Sequence, residues 1–117
     1  MGKKKVSNNQ VRGISRKRMD ILVTMSEREA LAGNMVRAKR YMELARRISG
    51  RNKVPMPPRA MYCHRCSTPL VAGINCRVRL REKKVCTHCL ECGSIKRIPF
   101  IREIKERRTC RQEQSRK

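Results

Sequence analysis

The chain has no tryptophan, one phenylalanine and two tyrosines among its 117 residues. Base stacking on aromatic rings therefore cannot dominate any binding to nucleic acid. Acids are scarce too: nine Asp and Glu stand against 31 Lys and Arg. They are scattered, several at spacings that suit helix-surface ion pairs, and no pair of carboxylates is set up for acid–base work. No Ser-His-Asp constellation and no glycine-rich phosphate loop emerges. Long apolar runs are missing as well, and no signal peptide is visible, so neither membrane insertion nor export is expected and the expected location is the cytoplasm.

What the chain has in excess is positive charge, +22 at neutral pH. Residues 1–59 carry 16 basic and four acidic residues, and residues 60–117 carry 15 and five. Solubility of a small domain needs a net charge of only about 2–8. A surface this positive repels itself until a polyanion neutralises it, which makes nucleic acid the expected partner. Without aromatics, recognition should follow backbone and shape, led by charge. The length allows one small domain or two very small modules.

Residues 1–15 are basic, polar and without periodicity, and are expected to be a flexible arm. From Arg16 the spacing turns helical. Met19, Leu22, Val23, Ser26 and Ala30 share one face of a first helix over 16–32. Gly33-Asn34 stops and restarts the chain, and Ala38, Tyr41, Met42, Ala45 and Ile48 stripe a second helix over 35–49, closed by Gly50. Two helices this short need a tertiary partner. Their apolar faces could serve the rest of the chain or dock a second protein, and spacing alone does not choose. Residues 51–61, with "VPMPPRA", read as a proline-rich linker. From residue 74 the period becomes two: Cys76, Val78 and Leu80 alternate with Arg77, Arg79 and Arg81. A strand here has one apolar face and one row of guanidinium groups. Glu82-Lys83-Lys84 reads as a turn, "VCTHC" as the return strand and "SIKRIPF" as a third. Residues 101–117 should form a basic tail, helical at most in its first turn.

Seven cysteines remain. An odd number argues against a complete disulfide framework, and Cys-x-x-Cys hooks argue for metal. Cys63 and Cys66 make the first hook without ambiguity. The second is Cys86/Cys89 or Cys89/Cys92, and the latter is favoured. Gly93 follows Cys92, where a hook turn often needs positive φ; small Ser67 is compatible with the same position after Cys66; and residues 67–88 suit a strand, a turn and a return strand. Four thiolates fill a tetrahedron and leave no place for a reactive water, so the metal expected is one structural zinc. Cys76 reads as a buried small hydrophobe, while Cys86 and Cys110 have no evident partner. His64 and His88 read as surface side chains.

"RYMELARRI", "YCHRC", "PLVAGINCRVRLR", "CLECG" and "RIPFIREIKERR" together resemble the zinc-ribbon protein subunits of archaeal ribonuclease P, related to a subunit of the eukaryotic nuclear enzyme. The resemblance spans roughly residues 16–108. It implies a small α+β fold: an N-terminal helical hairpin over 16–50, a linker, and a C-terminal zinc ribbon of three antiparallel strands over 62–100. It implies zinc on Cys63, Cys66, Cys89 and Cys92. It implies RNA contacts from Arg77, Arg79, Arg81, Lys83, Lys84, Lys96 and Arg97, with Lys105, Arg107 and Arg108 in addition. The helices then become a docking surface, carried by Met19, Leu22, Val23, Met25, Tyr41, Met42 and Ala45, for another ribonuclease P protein of Sm-like β-barrel type. The implied partners are ribonuclease P RNA, its specificity domain above all, and through the holoenzyme precursor tRNA, which loses its 5′ leader. Magnesium is expected only on the RNA. The chain itself has no catalytic residue in this reading. A zinc-ribbon ribosomal protein on ribosomal RNA is the alternative, and a transcription-factor ribbon a weaker one, because the tip Glu82-Lys83-Lys84 is net positive.

Overall fold

The computed structural model describes residue 2 and residues 4–115. Met1 and Lys3, within the expected arm, and Arg116 and Lys117, at the end of the expected tail, lie outside the described residues. The order of elements is α1 (Asn8–Leu31), α2 (Met35–Asn52), β1 (Cys76–Arg81), β2 (Lys84–Cys89), β3 (Ile95–Pro99) and α3 (Ile101–Ser115). This is the small α+β arrangement that the sequence suggests. Two compact units divide after Val71.

In the first unit, α1 starts well before Arg16. Ser7 caps it: its Oγ accepts from the Gln10 N–H, and Gln10 Oε1 accepts from the Ser7 N–H at 3.1 Å. This reciprocal capping box satisfies two donors at once. Most of the span expected to be an arm is therefore helix. The hairpin turn uses Gly33 at φ 88°, as its position suggests. Asn34 opens α2, yet its side chain donates to Glu29 Oε2 at 2.8 Å instead of capping the helix. Gly50 does not stop α2. The helix runs to Asn52 and closes on Lys53 in the left-handed region, φ 50°.

Met19, Val23, Met42, Ala45 and Val54 form the core of this unit, with Leu22, Ile48, Met56, Ala60 and Tyr62 packed against it. Small residues let the helices approach closely. The buried Ser26 hydroxyl donates across the gap to the Ala38 carbonyl at 2.7 Å, and Asn52 Nδ2 donates to Ser15 Oγ at 2.6 Å. Residues 51–61 are thus no spacer. Val54 is buried, and Arg59 ties the segment to α1 through the Asp20 carbonyl (3.0 Å), Thr24 Oγ1 (2.7 Å) and Glu27 Oε2 (3.3 Å). Prolines exclude a helix there but leave the extended chain able to lie across one.

In the second unit, β2 is the middle strand of an antiparallel sheet in the order β1-β2-β3. Arg81 pairs with Lys84, so only Glu82 and Lys83 make the turn, at φ 48° and 60°. A two-residue hairpin of this hand fits the right-handed twist of its strands, at the cost of two side chains in a region that favours Asn and Gly. The tail is helical as far as Ser115, beyond the single turn expected, with an Arg102–Glu106 ion pair of 3.4 Å along its exposed surface.

Candidate metal centre and nucleic-acid interface

The two hooks fold in the same way. After Cys63-His-Arg-Cys66 the Ser67 N–H donates to the Cys63 carbonyl at 2.9 Å, and the Cys63 N–H to Thr68 O at 2.9 Å. After Cys89-Leu-Glu-Cys92 the Gly93 N–H donates to the Cys89 carbonyl and the Cys89 N–H to Ser94 O, again at 2.9 Å each. Both turns require a left-handed residue after the second cysteine, and Ser67 (φ 60°) and Gly93 (φ 72°) supply it. One position further on, a hydroxyl reaches the sulfur. Thr68 Oγ1 lies 3.1 Å from Cys66 Sγ, and Ser94 Oγ lies 3.2 Å from Cys92 Sγ. With the sulfurs as thiolates, each hydroxyl donates, which spreads the charge of the cluster and orients the ligand. The recurrence of Cys-x-x-Cys, a small residue, then Ser or Thr is visible in the sequence; that the hydroxyls reach the sulfurs is visible only in the fold.

The Sγ atoms of Cys63, Cys66, Cys89 and Cys92 all lie within 4.8 Å of one another. Metal–sulfur bonds of about 2.3 Å in a tetrahedron set sulfurs about 3.8 Å apart, a separation compatible with the limit this donor set keeps. Cys63 and Cys89 are buried, at 4% and 3% exposure. Cys86 is excluded by strand geometry. It and Cys89 are three residues apart in β2, so their side chains leave opposite faces of the sheet. Cys76 pairs with Cys89 across the strands and is 1% exposed; burial pushes its thiol up, keeping it neutral. Cys110 is exposed on α3.

The register sorts the basic residues. Arg79, Cys86 and Arg97 stand in one row across three strands; Arg77 and His88 neighbour it on one side, Arg81 and Lys84 on the other. Arg77, Arg79 and Arg81 follow one another at about 6.6–6.8 Å along β1. They are exposed, as is Arg97, and no acid of β1, β2 or β3 shares this face. Lys96 does not belong with them. It pairs with Thr87, on the opposite face. That face carries a row of Leu80, Val85 and Ile98, and Leu80 and Ile98 are 73% and 48% exposed. The alternation of β1 is as the sequence indicates, but of its apolar side only Cys76 is buried, while Val78 and Leu80 are exposed. Lys83 lies exposed in the turn, and Lys105, Arg107 and Arg108 are exposed on α3, where Arg107, Arg108 and Arg111 gather around Ile104.

The docking residues need a correction. Met19, Val23, Met42 and Ala45 are 0% exposed. Each fills the hairpin's own core, since two short helices must first cover each other's apolar stripes. Leu22 and Tyr41 are half-buried and Met25 is 37% exposed, so these three keep surface. Beside the core, α1 and α2 border a groove of about 630 Å³, lined by Ile14, Leu22, Leu44 and Ile48 with Arg18 and Arg51.

A helical hairpin followed by a small antiparallel sheet and a four-cysteine cluster defines a protein of the zinc-ribbon class. The family described as RNAse P Rpr2/Rpp21/SNM1 subunit domain matches residues 18–93. Ribonuclease P protein component 4 of Methanocaldococcus jannaschii is 44% identical over 110 residues, covering 90% of this chain and 86% of the relative. The protein of the same description from Pyrococcus furiosus is 45% identical over 100 residues, 81% of this chain and 85% of the relative. A chain in the cryo-EM structure of archaeal ribonuclease P with mature tRNA superposes with a TM-score of 0.79 at 41% identity, covering 98% of this chain and 97% of that one. The chain belongs to this family of ribonuclease P protein subunits, alongside the archaeal protein component 4. The ribosomal alternative is thereby set aside.

Proposed function

We propose that this chain binds the catalytic RNA of ribonuclease P in the cytoplasm, supports its specificity domain, and so assists removal of the 5′ leader from precursor tRNA. The observation that carries the reading is the acid-free arginine face of the sheet, with Arg77, Arg79 and Arg81 along β1 and Arg97 in the row of Arg79, two strands away. Guanidinium groups at this spacing meet consecutive phosphates in a way that depends on backbone shape and not on base identity. Lys83 and Lys84 extend the contact at the hairpin tip, and Lys105, Arg107 and Arg108 along α3. Lys96 meets RNA only if it wraps the sheet edge.

Cys63, Cys66, Cys89 and Cys92 would hold zinc, which supplies folding free energy to a sheet with little core of its own. Four thiolates leave no open position, so bond breaking belongs to the RNA and its magnesium. The face bearing Leu22, Met25, Tyr41 and the adjacent groove docks the second ribonuclease P protein, of Sm-like β-barrel type; its basic rim asks for an acidic edge on that partner.

Binding of ribonuclease P RNA measured against salt tests the proposal. If about 6–10 phosphates are contacted, affinity falls roughly 10³–10⁵-fold between 50 and 200 mM salt, taking duplex slopes as a guide. Replacing Arg79 and Arg97 by alanine should lower the slope by about one unit for each phosphate no longer neutralised, while metal content stays the same. A flat salt dependence, or a slope untouched by both replacements, overturns it.

A further inference from the structure

The few aromatic rings of this chain are not all core. Tyr62 and His64 flank Cys63, with ring centroids 4.7 Å apart and planes inclined by 48°. Tyr62 is half-buried and packs against the Met19–Met42 core. The Arg46 guanidinium carbon sits 5.4 Å from the Tyr62 ring centre, and Arg46 Nη1 also donates to Ser67 Oγ at 2.5 Å. The backbone beneath is pinned: Tyr62 pairs with Pro69, and the Leu70 N–H donates to the Met61 carbonyl at 2.9 Å. On this base His64 and Arg65 are exposed. His64 is not one of the four clustered ligands.

We propose that Tyr62 and His64 form a stacking platform for one unpaired nucleobase, with Arg65 beside it to meet that nucleotide's phosphate. This rests on the RNA-binding reading above and adds to it a contact of a different kind. A ring held by packing, by a neighbouring ring and by a nearby guanidinium has little freedom left to lose when a base lies on it. Stacking tolerates any base identity, because every base has a π-face, and it does not depend on counterion release. The arginine face sets the salt dependence; the platform adds affinity at one unpaired position.

The zinc-loaded protein and ribonuclease P RNA test this directly. His64→Ala should weaken binding roughly 5-fold or more, the low end for loss of one stacked base, with an unchanged salt slope. His64→Phe should restore most of the affinity, since a ring is what the contact needs. Ultraviolet crosslinking of the wild-type complex, independent of any variant's folding, should join a peptide containing residues 62–65 to an unpaired nucleotide. A His64→Ala protein that binds within twofold of wild type, a His64→Phe protein as weak as alanine, or no crosslink to this peptide each overturns the platform. The Arg79 and Arg97 replacements in the same assay separate the two ideas. If they flatten the salt slope while His64 is silent, only the platform falls; if they too are silent, RNA recognition by this chain falls with it.

Discussion

Replacing Gly93 by alanine isolates the backbone requirement of the second hook. A Cβ built on Gly93 meets nothing within 4 Å, so no steric clash contributes. What remains is conformation: φ is 72°, where a side chain costs roughly 1–2 kcal/mol. Alanine also restricts the unfolded chain, which returns about 0.4–1 kcal/mol. The net loss is about 0–1.6 kcal/mol, equivalent to a metal site weaker by up to roughly 15-fold when folding and binding are coupled. The first hook provides the reverse experiment. Ser67 already occupies this region at φ 60°, and its Oγ accepts from Arg46. Ser67→Gly relieves the strain, loosens the unfolded chain and removes one hydrogen bond worth about 0.5–1.5 kcal/mol, so the sum stays within about 1.5 kcal/mol of zero. Zinc competition against a chromogenic chelator, with thermal melts of the loaded proteins, reads both. A loss beyond 100-fold for Gly93→Ala would mean an unseen clash or a missing ligand. A site tightened by the replacement would mean that residue 93 is not left-handed, since only the restriction of the unfolded chain would then remain. Either result refutes the account of the hooks as equivalent turns.

Three further outcomes follow from the geometry. Cys92→Ser should abolish stoichiometric zinc binding whereas Cys86→Ser retains it, read by metal analysis after gel filtration; the opposite result would move the second hook. Met42→Ala should destabilise the helical unit by about 2–5 kcal/mol in chemical denaturation, as for other fully buried methionines, and a loss below 1 kcal/mol would mean that the hairpin core is not closed. Glu82→Asn with Lys83→Gly should raise the stability of the zinc-loaded sheet by about 1 kcal/mol, because both positions are left-handed; a decrease would show that the turn is of another type.

The sequence by itself determined the classes of element and the chemistry they carry. A period near 3.6 placed α1 and α2, a period of two placed β1, the turn after it placed β2 and β3, and the hook spacing together with Gly93 favoured one four-cysteine site, because these are local properties of the chain. The start of α1 was legible too, in Ser7 and Gln10, but the basic composition around them concealed it. Only the tertiary structure decided which faces were spoken for. Met19, Val23, Met42 and Ala45 show the same apolar spacing whether they meet a partner or each other, and the hairpin chose each other. Lys96 and Arg97 are neighbours in sequence, yet the pairing of β2 with β3 sends them to opposite sides of the sheet. The connector's prolines excluded a helix without saying where an extended chain would lie, and Arg59 settled that through three groups on α1. Burial and register are relations between distant segments, which no local pattern encodes.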